Sequence, residues 1–145
     1  MTTIVYKEGV VAYDSQLTDG DGQTVTDDDF DKCIISKSKR FFFSGAACDY
    51  EEFINCYIDN KCAMSNVSAI VVDDNRVYSS SVDSEGKIWR LDITHMIYAI
   101  GSGADHALTA MDCGLGAKDA VKMAMKRDTG TGGRIRSFKI KLTNK

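Results

Sequence analysis

The sequence has no proline, one tryptophan and two histidines among its 145 residues. Without proline, one usual marker of linkers between domains is missing. The five cysteines include no CxxC pair, so neither a zinc site nor a disulfide framework is indicated, and reduced cytoplasmic thiols are expected. No apolar run reaches the length of a membrane span, and no charged-then-apolar leader is visible. We therefore expect a cytoplasmic protein with no metal, cofactor or membrane contact.

The net charge argues against a nucleic-acid partner. The charged residues are also unevenly distributed along the chain. A net charge of −3 and a pI near 5.3 argue against nucleic-acid binding, which needs clustered lysine and arginine. Residues 1–31 carry eight acids and one base, whereas residues 122–145 carry eight bases and one acid. Two explanations stay open, namely solvated faces of opposite sign and complementary subunit edges. The length and the 43% hydrophobic content predict one globular domain, 1–145.

The pattern of apolar residues predicts an α+β chain. The predicted elements are strands 2–7, 10–14, 32–36 and 40–44, a helix from 49 to about 60, strands 69–72, 76–82, 87–93 and 96–100, helices 104–113 and 117–127, and a strand 134–142. Residues 15–31 are polar and predict a long loop. Asp49 and Glu52 have the spacing of a capping box at the start of the first helix. This order of elements indicates helices packed on two antiparallel sheets.

The first residues hold the most specific chemistry. Methionine followed by a residue as small as threonine is usually trimmed, and loss of Met1 would give Thr2 a free α-amine. Such an amine can act as the base for the hydroxyl of the same residue, which makes an N-terminal threonine a nucleophile. The alternative is that Thr2 and Thr3 only begin an edge strand.

Two charged residues at strand ends are candidates to assist that nucleophile. Lys32, held near Thr2, would favour loss of the hydroxyl proton, and Asp14 beside it would keep the lysine charged and oriented. The alternative is two surface charges.

Two glycine-containing segments do not match nucleotide sites: 101–103 lacks the third glycine of a dinucleotide loop, and 128–133 lacks the ending of a phosphate loop.

Six segments, taken in order along the chain, carry a family resemblance. They are the opening Met1-Thr2-Thr3-Ile4-Val5, the run from Val10 to Gln16, Lys32, Gly45-Ala46-Ala47-Cys48-Asp49, Ile100-Gly101-Ser102-Gly103 and Arg127-Asp128-Thr129-Gly130-Thr131-Gly132-Gly133. In this order they resemble the proteasome β-subunit superfamily of N-terminal nucleophile (Ntn) hydrolases, and within it the HslV-like peptidases. The resemblance extends over nearly the whole chain but is poor in the middle.

The resemblance implies a fold and a set of roles. The implied fold is a four-layer αββα sandwich, with one helical layer reduced because only residues 61–68 stand where relatives have a second long helix. The implied catalytic residues are Thr2 as nucleophile with its amine as base, Asp14 and Lys32 beside it, the Gly45 N–H as oxyanion donor, Ser102 and Asp128 as partners of the amine, and Thr131 as a supporting hydroxyl. Phe43 and Ala47 would line the pocket for the substrate side chain that precedes the cleaved bond.

The resemblance also implies an activity and partners. It indicates a threonine-type endopeptidase that hydrolyses peptides or unfolded proteins in a homo-oligomeric ring, with an ATP-dependent unfoldase as a partner. Two alternatives stay open. One is a non-catalytic scaffold subunit that keeps the fold, and the other is an amidase for small molecules.

Overall fold

The computed structural model describes residues 2–26, 28–60 and 65–142, which form two antiparallel sheets and a separate hairpin. The first sheet has the strand order β10 (Tyr98–Ile100), β1 (Ile4–Lys7), β2 (Val10–Tyr13) and β11 (Arg136–Lys139). The second has the order β5 (Cys33–Ser36), β6 (Lys39–Gly45), β7 (Val67–Asp73), β8 (Arg76–Val82) and β9 (Ile88–Asp92). The separate hairpin consists of β3 (Leu17–Thr18) and β4 (Thr24–Thr26).

Tight turns join the first strands of each sheet. Glu8 and Gly9, between β1 and β2, have φ angles of 50° and 81°. Lys37 and Ser38, between β5 and β6, have φ angles of 51° and 66°. Two consecutive positive φ angles are what a two-residue hairpin turn of type I′ requires, and this turn matches the twist of the strands that it joins.

In the described part of the chain, three α-helices cover the outer faces of the sheets. The helix α1 (Tyr50–Asp59) follows a short 3₁₀ turn and lies on the five-stranded sheet. The helices α2 (Ala104–Asp112) and α3 (Ala117–Met125) lie side by side on the four-stranded sheet. The helix α1 ends at Asn60, whose left-handed backbone lets its N–H bond to the Cys56 carbonyl at 2.8 Å.

The alternation of side chains along each strand separates three apolar clusters. Successive strand residues point to opposite faces, so Val5 packs under α2 and α3 whereas Ile4 and Tyr6 point between the sheets. In the same way Phe42 points between the sheets, while Phe41 and Phe43 pack under α1. All of these side chains are fully buried. The order of layers is therefore helix, sheet, sheet, helix.

This order confirms the predicted four-layer αββα fold of two antiparallel sheets. The reduced helical layer is confirmed as well, because among the described residues α1 is the only helix on the five-stranded sheet. The segment that was expected to be too short for a second helix lies partly outside the described residues, at 61–64. From Val67 onward the chain is already in β7.

Two local predictions were wrong. The predicted loop 15–31 contains the β3–β4 hairpin, which is stabilised where the Asp19 carboxylate accepts hydrogen bonds from two backbone N–H groups of its own turn. Asp49 does not cap α1 with its side chain. Its own backbone is close to helical, and its carboxylate instead accepts a hydrogen bond from the Asn66 N–H at 3.2 Å. A partner 17 positions away thus replaces the local cap.

Contacts within the chain join part of the acidic segment to the basic one, and one of them pairs opposite charges. The Arg134 N–H donates to the Asp28 carboxylate at 2.8 Å, and the Arg136 guanidinium donates to the Asp28 carbonyl at 3.3 Å. Arg136 also lies 3.7 Å from the Asp31 carboxylate. The acidic segment is therefore fastened to the region of β11, which neither of the two explanations from sequence had included.

The cysteines differ from the expectation in one case. Cys33, Cys48 and Cys113 are free thiols. Cys56 is disulfide-bonded, so the expectation that every thiol is reduced was wrong for that residue.

Within the described ranges, no helix combines the length and the apolar character needed to cross a membrane.

Phe53 tests how far the single helix stabilises the second sheet. Its side chain is fully buried and meets the Phe43 ring edge-on, with 5.8 Å between the ring centroids. We expect Phe53→Ala to lower the free energy of unfolding by about 3–5 kcal/mol, because the truncation leaves a cavity under α1. Urea denaturation followed by circular dichroism measures the loss.

The matched control is Val25→Ala, at a side chain that is 62% exposed. This change should stay within about 0.5 kcal/mol of the parent. Similar losses for both variants would contradict the assignment of Phe53 to the core.

Candidate active site

Thr2 lies just before β1, where the ends of the two sheets meet. Its residue surface is only 3% exposed. The Gly103 N–H donates to the Thr2 carbonyl at 3.3 Å, which fixes the backbone against the turn that follows β10. The β1–β2 hairpin positions Asp14 beside the same end, because the Asp14 N–H bonds to the Thr3 carbonyl at 3.3 Å.

A buried ion pair stands next to the Thr2 hydroxyl. Lys32 Nζ lies 2.6 Å from Asp14 Oδ1 and 2.9 Å from Thr2 Oγ1. The side chains of Lys32 and Asp14 are 2% and 0% exposed. The structure thus brings together three residues that the sequence predicted for one site, and the alternative of two surface charges is wrong.

The Asp14 carboxylate is held by backbone groups as well as by the lysine. The Thr3 N–H donates to Oδ1 at 3.1 Å, and the Gly132 N–H donates to Oδ2 at 3.1 Å. Because both oxygens are engaged, the carboxylate has a fixed orientation. Asp14 in turn fixes the ammonium group that faces Thr2.

Burial has the largest effect on the protonation of Lys32. It lowers the pKa of the ammonium group below its ordinary value, and attraction to Asp14 and Asp128 opposes that change without reversing it. The ammonium form of Lys32 therefore holds its proton less tightly than a solvated lysine does. Such a group can both donate a hydrogen bond to Thr2 Oγ1 and stabilise negative charge there.

Asp128 connects the turn after α3 to Ser102. Its Oδ2 accepts hydrogen bonds from the Ser102 and Thr131 hydroxyls, each at 2.6 Å, and its Oδ1 accepts the Gly130 N–H at 3.1 Å. Burial by itself would raise the pKa of Asp128, but these three hydrogen bonds outweigh it and hold the pKa below the ordinary value. Asp128 is therefore a carboxylate at neutral pH.

The carboxylate determines which way the hydroxyl protons point. Ser102 Oγ has one proton and lies 2.6 Å from Asp128 Oδ2 but 3.3 Å from the Thr2 carbonyl oxygen. It therefore donates its hydrogen bond to the nearer acceptor, the charged carboxylate. The Thr2 nitrogen, 3.2 Å from Ser102 Oγ, must then be the donor in that contact. Ser102 therefore accepts a hydrogen bond from Thr2 and does not donate one to it.

Thr3 is a member of this network that the sequence reasoning missed. Its hydroxyl lies 2.7 Å from Thr131 Oγ1, and Thr3 is completely buried. Since the Thr131 hydroxyl donates its hydrogen bond to Asp128, the Thr3 hydroxyl is the donor to Thr131. The one signal in the sequence was the repeat of threonine, which could not show that residue 3 meets a residue 128 positions away.

Two of the glycines with positive φ angles lie at this site. Gly101, with a φ of 100°, packs so closely that a Cβ atom there would lie 2.1 Å from the Thr2 carbonyl oxygen. Gly45, with a φ of 123°, is exposed at the end of β6, and a Cβ atom there would lie 2.2 Å from the Asn66 carbonyl oxygen. Gly45 and Ser102 line the same groove, so the residue predicted as oxyanion donor opens onto the site.

The two predicted pocket residues do not share a pocket. Phe43 is fully buried, and its ring stacks on Tyr50 with 4.3 Å between the centroids. It belongs to the core under α1 and cannot line a substrate pocket in this packing. Ala47 is exposed in the 3₁₀ turn before α1. The prediction for Phe43 was wrong because an aromatic neighbour from α1 covers the ring.

Within the part of the chain that the structure describes, no three or more His, Cys, Asp or Glu side chains are grouped so that they could hold a metal ion. The polar atoms around Thr2 are hydrogen-bonded to one another.

Comparison with known proteins supports the fold alone. No protein-family model matches the sequence, and no curated protein matches it significantly. Among solved structures the chain is similar to Thiobacillus denitrificans BPH, with a TM-score of 0.70, 18% identity and 99% coverage of both chains. The same protein in complex with epoxomicin gives a TM-score of 0.69, also at 18% identity and 99% coverage of both chains.

A second similar structure is eukaryotic HslV from Trypanosoma brucei. Its TM-score is 0.65 at 19% identity, and the match covers 94% of this chain and 97% of the other. The resemblance seen in the sequence is thus confirmed at the level of the fold. At this identity the likeness shows the architecture alone, while the roles of the site residues stay predictions.

Gly101→Ala tests the close packing against Thr2. A methyl group there would overlap the Thr2 carbonyl, and alanine is strained at a φ of 100°. We expect the free energy of unfolding to fall by about 2–4 kcal/mol, since strain and overlap add. Chemical denaturation measures the change.

Gly20→Ala is the matched control, because a Cβ atom at that glycine would meet no other atom within 4 Å. It should change stability by no more than about 0.5 kcal/mol. A Gly101→Ala protein as stable as the Gly20→Ala protein would show that the contact with Thr2 is not tight.

Proposed function

We propose that this chain, on the fold that it shares with Thiobacillus denitrificans BPH and Trypanosoma brucei HslV, is a threonine-type endopeptidase with Thr2 as its nucleophile. One observation carries the proposal. Lys32 Nζ is 2.9 Å from Thr2 Oγ1 and is itself paired with Asp14 at 2.6 Å, deep in the protein. A buried charge aimed at a hydroxyl is costly for stability and useful for chemistry.

Removal of Met1 is the first step, because only then does Thr2 have a free α-amine. An unsubstituted α-amine titrates near about 7.7–8.0, so a sizeable part of it is neutral in mildly alkaline solution. Ser102 accepts a hydrogen bond from this nitrogen and donates its own hydroxyl hydrogen bond to Asp128. The lone pair of the amine is therefore left for the proton of the Thr2 hydroxyl.

Hydrolysis then follows in two halves. The amine takes the Thr2 hydroxyl proton, directly or through one water, while Oγ1 attacks the carbonyl carbon of the peptide bond. Lys32 stabilises the negative charge on Oγ1, and the Gly45 N–H donates to the oxyanion of the tetrahedral intermediate. The protonated amine returns its proton to the leaving nitrogen. Breaking of the C–N bond leaves an ester on Oγ1. A water then loses a proton to the same amine and attacks the ester carbon. The bond to Oγ1 breaks and the amine returns the proton to Oγ1, which regenerates Thr2.

The proposal includes an assembly and a location. We expect a homo-oligomeric ring in the cytoplasm, fed with unfolded protein by an ATP-dependent unfoldase, as the family resemblance implies. Exposed apolar side chains on both edge strands of the five-stranded sheet support subunit contacts. Ile35 on β5 is 60% exposed, and Trp89 and Leu91 on β9 are 41% and 42% exposed.

Thr2→Ala should abolish hydrolysis of peptides while the fold stays intact. The variant removes the nucleophile, so the turnover of a fluorogenic peptide should drop by about 10³-fold or more. Thr24→Ala, at an exposed threonine of β4, is the matched control and should keep the parent turnover. Unchanged turnover in Thr2→Ala would defeat the assignment.

Covalent labelling locates the nucleophile independently of any peptide. We expect epoxomicin, the compound bound in one of the Thiobacillus denitrificans BPH structures, to form an adduct on Thr2. Mass spectrometry of the intact protein and of its fragments should show loss of Met1 and the added mass at the new N-terminus.

The alternatives give different masses and sizes. A protein that keeps Met1 and takes no label would be a non-catalytic scaffold subunit. A labelled monomer or dimer that cleaves small amides and not peptides would be an amidase. Size-exclusion chromatography with light scattering supplies the oligomeric state.

A further inference from the structure

A groove of about 400 Å³ opens beside Thr2, between the ends of the two sheets. One wall comes from the turn after β10, which includes Gly101 and Ser102, the latter within 3.2 Å of the Thr2 nitrogen. The opposite wall comes from the ends of β6, β7 and β8. Gly45 lies on this wall, so a peptide held for attack by Thr2 passes the mouth of the groove.

The opposite wall is a row of three serines. Strand register pairs Ser44 of β6 with Ser68 of β7, and Ser68 with Ser81 of β8. Residues paired directly across strands share one face of the sheet. Two residues earlier on β6, Phe42 points into the apolar cluster between the sheets, so the serines continue the inner face. The inter-sheet layer thus changes from apolar to hydroxyl-lined at the end next to Thr2.

Ser65 and Asn66 extend this polar lining along the groove. The Ser65 hydroxyl oxygen is inaccessible to solvent and has no hydrogen-bond partner within residues 2–26, 28–60 and 65–142. A buried polar group without a partner costs about 1–3 kcal/mol, so one that persists calls for a reason. None of the described residues that line the groove is charged.

The chemistry of the wall selects among substrate side chains. A serine hydroxyl both donates and accepts, which matches a carboxamide or another hydroxyl. A carboxylate or ammonium would enter with no opposite charge to pair with, and an aliphatic side chain would leave the hydroxyls without partners. Both mismatches weaken binding in the transition state.

We propose that this serine-lined groove binds an uncharged, hydrogen-bonding side chain, asparagine or glutamine foremost, at one of the two residues that flank the cleaved bond. This inference rests on the proposed function, because it names the substrate class of the same site. It concerns the wall opposite Ser102, to which Gly45 contributes only backbone and no predicted catalytic side chain belongs.

The test compares side chains that differ in chemistry and little in shape. Three fluorogenic peptides carry asparagine, leucine or aspartate at the residue before the cleaved bond, and three more carry them at the residue after it. At one of these positions we expect kcat/KM for asparagine to exceed that for leucine, and that for aspartate, by about tenfold or more. Epoxomicin labelling of Thr2 runs in parallel.

Variants connect the preference to the serine row. The triple change Ser44→Ala, Ser68→Ala and Ser81→Ala should lower the asparagine-to-leucine ratio by about tenfold. Ser68→Ala alone should lower it partially, which serves if the triple variant folds poorly. Ser137→Ala, at an exposed serine of β11, is the matched control and should leave the ratio as in the parent.

The outcomes separate this inference from the proposed function. Labelling of Thr2 with equal kcat/KM for the three side chains, or a ratio unmoved in the serine variants, would overturn the groove assignment and leave the peptidase standing. A protein that takes no label and cleaves none of the six peptides would overturn both. An asparagine preference that falls with the serine row supports the groove assignment.

Discussion

The buried contact between Lys32 and Asp14 is the constraint on which the rest of the site depends. Each charge loses its hydration, and removing one partner of such a pair typically costs about 3–5 kcal/mol. The pair persists here because separate parts of the fold converge on it. Asp14 follows β2 of the four-stranded sheet, Lys32 precedes β5 of the five-stranded sheet, and backbone N–H groups of Thr3 and Gly132 complete the carboxylate. The pair therefore joins the two sheets at the point where Thr2 lies.

A second set of polar contacts gives the site a direction. Asp128 accepts hydrogen bonds from the Ser102 and Thr131 hydroxyls. Ser102 can therefore only accept from the Thr2 nitrogen, and Thr3 can only donate to Thr131. Networks of this kind specify one arrangement when every member is satisfied, and they are costly when one is not. The ion pair acts on the Thr2 oxygen and the hydroxyl network acts on the Thr2 nitrogen.

Local patterns predicted most of the architecture, and they failed where a partner is distant in sequence. The strands 2–7 and 10–14 and the helix from 49 to about 60 follow from patterns of neighbouring residues, and their positions were predicted. The covering of Phe43 by Tyr50, the bond from Asn66 to Asp49, and the role of Thr3 all depend on packing between separate segments. Asp14, Lys32, Ser102 and Asp128 were predicted through their order along the chain and the family resemblance. Spacing alone would not have placed Ser102 beside a residue 100 positions away.

The β3–β4 hairpin lies in the chain between Asp14 and Lys32, yet it belongs to neither sheet. Its base is fixed by the ion pair and by the contacts of Asp28 with the region of β11. Because these contacts fix the base, the distance between Asp14 and Lys32 does not depend on the number of residues in the hairpin. Doubling the length of a loop also costs only about 0.6 kcal/mol. The tip near Gly20 is a natural insertion point, open to a fluorophore or an affinity peptide for following the molecule without disturbing its chemistry.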